Sequence, residues 1–329
     1  MTYRLKPEEV ERAAELLREG KLVAFPTETV YGLGASIFNP EAIKEIFRVK
    51  GRPADNPLIA HVCNFSQIEQ IAIELSPRFF RLAKQFFPGP LTLVVKKHAR
   101  VTDIVSAGRD TIALRMPQNP IAMGLIAELG EPIVAPSANL SGKPSATHFE
   151  HVLEDFDGEI AAVIEGEQCA LGIESTVLSL LRDPPVLLRP GAITKQMLED
   201  VLDSPIQLAD AHTPVAAPGM KYRHYSPNTP IELFYTSQAL CLAAQRERRP
   251  MILSLQGEVA GCLGEHFVLS PRSLYALFRL ADKENYSAIL ILYDELQAAD
   301  PALQNRMILS INGAHRPFSK RVLLGKNCF

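Results

Sequence analysis

The chain has 329 residues, 47% of them hydrophobic and 22% charged. These proportions exclude disordered, fibrous and coiled-coil classes, and at about 150 residues per domain the length suggests two domains able to bury cores without metal or disulfide staples. The net charge of −3 divides unevenly, with 21 Lys and Arg against 28 Asp and Glu over residues 1–210 (−7) and 13 against 9 over the remainder (+4), so the front part makes a poor nonspecific nucleic-acid binder, which needs basic surface to displace phosphate counterions.

From Lys6 the pattern alternates helix and strand. Pro7 suits a first helical position, Val10, Ala13, Ala14 and Leu17 recur at helical spacing, and Gly20 ends the run. A strand is predicted at 22–26, a helix at 40–50, a strand at 58–63, helices near 66–74 and 77–86, and a strand at 91–95. Further strands at 111–115, 132–136, 161–166, 176–181 and 186–191 alternate with helices near 119–129, 147–155 and 194–203. Many strands lie only a hairpin apart, so the rhythm predicts an α/β fold on a twisted, mixed, open sheet. The proline-rich stretch 205–230 has no periodicity and is expected to link a first domain, 1–204, to a second, 231–329. There, strands at 231–235, 251–255, 266–270 and 288–293 alternate with helices near 237–247 and 271–282 and a final helix, a smaller α/β unit.

No apolar run approaches the ~18 residues that cross a bilayer, and the opening MTYRLKPEEVERAAELL lacks the apolar stretch of a secretory signal, which makes the cytoplasm the expected compartment. Five cysteines, Cys63, Cys169, Cys241, Cys262 and Cys328, are scattered without zinc-ligand spacing, and free thiols are expected.

Gly32 and Gly34 begin a G-x-G, but Ile37 stands where a dinucleotide fingerprint needs its third glycine, and G-x-x-x-x-G-K-[ST], G-x-S-x-G and H-E-x-x-H are absent. The informative residues are polar segments at strand ends. FPTETVYGLGA (25–35) runs a strand into two hydroxyls, a carboxylate and a tyrosine before turning on Gly32 and Gly34; glycine there allows positive φ or close approach to a ligand, and an ordinary β-turn would use the same residues. In KGRPADNPLIAHV (50–62), Lys50 and Arg52 flank a helix-ending glycine. They could complement the helix dipole, or clamp an anion, with Asn56 reading a base or sugar; His61 on the next strand could be structural. APSANLSGKPSAT (135–147) offers Ser137, Asn139, Ser141 and Ser145 after a strand, either as a surface turn or as donors to a phosphate. Arg115, inside the apolar TIALRMP, must meet a carboxylate of the protein or of a ligand. Thr111, Glu174-Ser175-Thr176 and Arg189 also mark strand ends.

Together, FPTETVYGLGA, Lys50-Gly-Arg52 with Ser137-Ala-Asn139, FPGPLT (87–92), RMP (115–117), GIESTV (172–177) and LLRPG (187–191) fall in the order of the threonylcarbamoyl-AMP synthase family, the YrdC-like fold, and over residues 7–200 the chain resembles that family. The segment APGMKYRHYSP (217–227) resembles the linker of its long form, which adds a smaller, Rossmann-like C-terminal domain. The resemblance implies a large cavity in the sheet and an ATP-dependent enzyme, a nucleotidyltransferase. It would condense L-threonine, bicarbonate or CO2, and ATP into threonylcarbamoyl-AMP and pyrophosphate, for a downstream transferase that modifies tRNA. It implies that Thr29, His61, Arg115, the Ala135 backbone and Ser175 hold threonine. Arg52, Asn56, Thr111, Ser137, Ser145 and Arg189, with Lys50 and Asn139, would surround ATP and its Mg2+, with Lys50 and Arg52 carrying the chemistry, so their alanine variants should keep the fold and lose turnover. Tyr225 would fold over the nucleotide as part of a lid in which Lys221, Arg223 and His224 lie close together.

The tail QNRMILSINGAHRPFSKRVLLGKNCF departs from the family pattern; its Arg306, Arg316, Lys320, Arg321 and Lys326 could be solvated or could approach tRNA. His148 and His151 are expected in solvent. A non-catalytic RNA- or tRNA-binding module is the alternative, against which the acidic front half speaks. A carbamoyl-transfer maturation factor on the same fold would want acylphosphatase-like and zinc-finger segments, and neither is present in the sequence.

Overall fold

The computed structural model describes residues 1–210, 225–293 and 300–311. The chain divides into two compact units, Met1–Ser141 with Ser145–Tyr222, and Gly142–Pro144 with Arg223–Phe329.

In chain order the first unit contains β1 (Tyr3–Leu5), α1 (Val10–Arg18), β2 (Val23–Phe25), β3 (Gly32–Ser36), α2 (Pro40–Lys50), β4 (Ile59–His61), α3 (Phe65–Ile71), β5 (Ala72–Ile73), α4 (Pro77–Phe86), β6 (Leu91–Lys97) and α5 (Asp103–Ser106). It continues with β7 (Thr111–Arg115), α6 (Pro120–Leu129), β8 (Ile133–Val134), α7 (Phe149–Phe156), β9 (Ala162–Ile164), β10 (Thr176–Ser179), β11 (Val186–Arg189), α8 (Lys195–Leu202) and β12 (Gln207–Leu208). Three helices start alike: Asn39, Ser76 and Asn119 accept backbone N–H groups of the first turn, and a proline follows each cap. Proline's fixed φ suits that position and a cap stabilises a helix by about 1 kcal/mol.

Among the described residues the strands form one mixed sheet in the order β1-β9-β2-β3-β8-β4-β7-β6-β10-β11-β12, with β5 beside β6. Parallel pairs such as β4 with β7 occur beside antiparallel ones such as β6 with β7. Ile43, Ile46, Leu93, Leu114 and Val134 belong to one core, and Ala13, Leu17, Val23, Phe25 and Ile133 to another. Alternation explains the division, since successive side chains of a strand leave opposite faces.

Three local expectations change. Gly32 and Gly34 do not turn the chain; they lie in β3, where a Cβ on Gly34 would sit 2.8 Å from Phe25 Cε1 and 2.9 Å from Ile133 Cγ2. Close packing against β2 and β8, not positive φ, therefore requires glycine. The end of the helix predicted near 66–74 is β5, paired antiparallel with β6. Residues 205–210, read as linker by composition, include β12, whose Gln207 is register partner to Val186 at the sheet edge.

The second unit has a four-stranded, all-parallel sheet in the order β13 (Ile231–Phe234), β16 (Ala288–Leu292), β14 (Pro250–Ser254), β15 (Glu265–Val268). Its helices among the described residues are α9 (Ser237–Ala244), α10 (Leu274–Lys283) and α11 (Pro301–Ile311). Parallel strands need crossover connections; α9 lies in the one from β13 to β14 and α10 in the one from β15 to β16, while β14 and β15 are joined by a loop. The expectation of free thiols fails for Cys241 and Cys262, which form a disulfide with their Cα atoms 4.7 Å apart; Cys241 lies on α9 and Cys262, 21 positions on, in the loop between β14 and β15. Cys63 and Cys169 are free, and burial pushes the Cys169 thiol up to about 12. Arg306, counted with the basic tail, is buried on α11, while Arg316, Lys320, Arg321 and Lys326 lie outside the described residues. No helix among the described residues is long and apolar enough to cross a membrane.

Candidate active site

Strand alternation sets the position of the site. In β4, β7, β6 and β10, Ala60, Leu114, Leu93 and Leu178 enter the large core, while Ile59, Ala113, Val94 and Val177 cluster separately. Counting by two along the strands therefore puts His61, Arg115, Thr111, Thr92 and Ser175 on the face of the second group. His61 and Arg115 are register partners in the parallel pair, which sets them side by side.

Arg115 is buried, and its surroundings explain how the sheet tolerates it. Nη1 donates to Thr29 Oγ1 at 2.8 Å, and Nη2 lies 2.8 Å from Glu28 Oε1 in a buried ion pair. That approach is not aligned with an N–H bond, and Nε, Nη2 and both Glu28 oxygens have no hydrogen-bond partner. Thr29 is itself fixed by Thr27, whose Oγ1 lies 2.8 Å from the Thr29 hydroxyl and donates to Val30 O at 2.7 Å. The carboxylate sought for Arg115 is thus present in the protein, and the guanidinium still has donors to give.

His61 is buried against the Phe25 ring edge, with centroids 6.1 Å apart, and Nδ1 meets Ile59 O at 3.2 Å. Burial, followed by the adjacent Arg115 charge, pushes the imidazole down to about 3, so the ring is neutral at physiological pH. Across the same face Ser175 Oγ lies 2.7 Å from Thr92 Oγ1 and accepts from Arg189 Nη2 at 3.1 Å, while Arg189 Nε donates to Ser175 O at 3.0 Å. Arginine's planar fork fixes the serine in a way a lysine could not.

A second group gathers around the end of α2. Gly51, with φ 58°, caps the helix, and Lys50, its last residue, is buried instead of solvated at the helix end. Lys50 Nζ donates to Ser137 O at 2.6 Å and to Asn139 O. Its ammonium therefore ties α2 to the loop after β8, a buried charge-assisted tie that gives Lys50 structural contacts within the fold. Arg52 reaches Asn56 O at 3.3 Å and Pro57 O at 2.9 Å, so the guanidinium shapes its own loop. Asn56, Asn139 and Ser145 are buried and Ser137 and Thr111 half-buried. Ser145 Oγ donates to Glu174 Oε1 at 2.6 Å, and Ala135 N donates to Ile59 O at 3.0 Å.

The structure thus brings together Thr29, His61 and Arg115, joins Ser175 to Arg189, and ties Lys50 to Ser137 and Asn139. Tyr225 is described in the second unit, its ring stacked on Tyr275 with centroids 5.3 Å apart and the Arg306 guanidinium 5.7 Å away. Lys221, Arg223 and His224, and most of the expected lid, lie outside the described residues. His148 and His151 are half-buried with ring centroids 5.0 Å apart, not fully solvated. Sequence reasoning gave no role to Glu28, Thr92 or Glu174; a carboxylate between two threonines was the available signal for the first. Among the described residues no three His, Cys, Asp or Glu side chains gather to hold a metal ion.

This arrangement, a buried arginine paired with a carboxylate beside a neutral histidine on a mixed sheet, together with a parallel α/β unit, defines a class of two-domain α/β proteins. Residues 15–191 match the Sua5/YciO/YrdC family model, described as telomere recombination, and residues 193–309 match the threonylcarbamoyl-AMP synthase C-terminal domain. The chain is 44% identical over 301 residues to the threonylcarbamoyl-AMP synthase of Bacillus subtilis, covering 89% of this chain and 84% of that protein. It is 49% identical over 232 residues to that of Pyrococcus abyssi, covering 69% and 68%. Among solved structures, P. abyssi Sua5 complexed with L-threonine superposes with TM-score 0.87 at 38% identity, over 95% of this chain and 98% of that one. Escherichia coli YciO matches at TM-score 0.53 and 25% identity, over 58% and 97%. The chain belongs to the Sua5 family of threonylcarbamoyl-AMP synthases, enzymes of transferase type, in its two-domain form.

Proposed function

We propose that this chain is an L-threonylcarbamoyl-AMP synthase and a nucleotidyltransferase: it joins L-threonine, bicarbonate and ATP, releasing pyrophosphate and water. The observation that carries the reading is the buried Arg115 with its unpartnered Nε beside neutral His61 and Thr29, in a chain similar to a relative crystallised with L-threonine. The threonine carboxylate takes the spare Arg115 donors. His61, Thr29, Ser175 and the Ala135 backbone surround the rest, and the uncharged His61 can share a hydrogen bond without competing for the carboxylate.

The amine attacks the bicarbonate carbon to form a carbamate and water. A carbamate oxygen then attacks the α-phosphorus of ATP and pyrophosphate leaves. Charge spreads over phosphate oxygens in that step, so positioning and cations do most of the work. Arg52 and Arg189 with Asn56, Thr111, Ser137, Asn139 and Ser145 form the nucleotide side, and Lys50 acts there by holding the 137–139 loop in shape. Mg2+ enters as part of the substrate, bound to the triphosphate and water as its preference for phosphate oxygens dictates; Glu174, beside Ser145, is an acid within that region. The product is a reactive mixed anhydride that a downstream transferase would deliver to tRNA in the cytoplasm.

The test is pyrophosphate release by the purified chain with MgATP and bicarbonate, with and without L-threonine. Release that requires threonine supports the reading, and its absence would favour an RNA-binding role without catalysis.

A further inference from the structure

We propose that Glu28 receives the α-ammonium group of the amino-acid substrate and takes the proton it releases, so that Glu28 and Arg115 together recognise the zwitterion. This rests on the synthase reading above. Glu28 is 9% exposed, and its carboxylate oxygens have no hydrogen-bond partner. A buried carboxylate in that state is costly, and a misaligned contact with one guanidinium nitrogen offsets the cost only in part. Its backbone is held by the bond from Leu171 N to Glu28 O at 2.8 Å, so the side chain is presented from a fixed point.

Beside it, Arg115 keeps Nε and Nη2 without hydrogen bonds. One anion and one cation, 2.8 Å apart and both short of partners, are the complement of an α-amino acid, whose ammonium and carboxylate are joined through a single carbon. His61 does not serve in place of Glu28: its imidazole carries no negative charge to pair with an ammonium, and burial with the Arg115 charge makes it a weak proton acceptor.

The proton balance fits this role. The ammonium transfers one proton to the Glu28 carboxylate. The freed nitrogen bonds to the bicarbonate carbon, the bond from that carbon to its hydroxyl breaks, and the hydroxyl leaves as water with the second amine proton. Glu28 returns its proton to solvent after turnover.

The test is calorimetric titration of the full chain with L-threonine and with 3-hydroxybutanoate, which is threonine without its amine, in wild type and Glu28→Gln. The expected result is at least a tenfold preference of wild type for threonine, abolished in Glu28→Gln by loss of threonine affinity while 3-hydroxybutanoate binding is kept, and restored in part by Glu28→Asp. A merely structural Glu28 would weaken both ligands alike, which would overturn the proposal. Equal binding of the two ligands by wild type would also overturn it, whether or not the variants fold. Threonine binding by Glu28→Gln within twofold of wild type would remove Glu28 and leave the synthase reading standing. Failure of wild type to bind either ligand would remove both.

Discussion

Replacing Lys50 with methionine separates holding a loop from contacting a ligand. Methionine keeps the length of the stem and removes the three N–H donors. The lost bonds include those to the carbonyls of Ser137 and Asn139, each worth about 1.5–3 kcal/mol when the donor is charged, less what the apolar side chain regains by burial. A net loss of about 2–4 kcal/mol follows, and at roughly 2–4 °C per kcal/mol for a unit of this size the melting temperature of the first unit should fall by roughly 5–15 °C. Calorimetry measures that shift. Hydrogen exchange locates it, because the loop amides of Ala138, bonded to Tyr31 O, and Ser141, bonded to Lys50 O, should exchange faster while those of α1 do not. Threonine-dependent pyrophosphate release should fall as well. Lost turnover with unchanged melting and unchanged loop exchange would refute the reasoning and leave Lys50 acting on ligand alone.

The buried His61 makes stability depend on acid. Its folded pKa of about 3 lies below the unfolded value of 6.5, so below pH 6.5 the unfolded chain binds more protons and stability is lost as pH falls toward 3, by up to about 1.4 kcal/mol per pH unit. Urea titrations of wild type and His61→Leu at pH 7 and pH 4.5 should show the smaller acid loss in the variant, and equal losses would contradict the shift. Gly191→Ala should be severe, since its Cβ would lie 2.4 Å from Thr176 N and 2.8 Å from Ser175 C, backbone that cannot move without displacing Ser175. A loss of about 1–3 kcal/mol in urea titration is expected, and a neutral result would be decisive against it. Arg189→Lys breaks the fork to Ser175 O and Oγ. It should raise the KM for threonine roughly tenfold, for about 1.4 kcal/mol, with melting little changed; an unaltered KM would separate Arg189 from the threonine side.

Much of the helical framework is legible because its starts are chemical: Asn39-Pro40, Ser76-Pro77 and Asn119-Pro120 are cap-and-proline pairs that act within one turn. β3 is not legible, since GLGAS has little strand propensity and becomes a strand only because β2 and β8 flank it. β12 likewise exists through its pairing with β11. Residue types at the site could be read from strand ends, but their relations could not. Lys50 looks like a cation at a helix C-terminus until the inward course of its stem is known. The pairing of Cys241 with Cys262 depends on the path between them, which spacing does not give.

The charge arrangement around Arg115 also bears on what the site can select. Among the groups that face one another there, the guanidinium and the Glu28 carboxylate cancel, and His61 adds nothing because burial keeps it neutral. Were His61 a cation, the same cluster would carry a net positive charge and would favour a dianion such as phosphate over a zwitterion. Lys50, Arg52 and Arg189 donate to backbone carbonyls, and Arg189 also to the Ser175 hydroxyl. On the proposed reading, the Arg115–Glu28 pair makes a neutral amino-acid side, and Lys50, Arg52 and Arg189 make the nucleotide side cationic. A carboxamide at position 28 would upset this balance without altering shape, and the site should then turn from amino acids toward simple carboxylates.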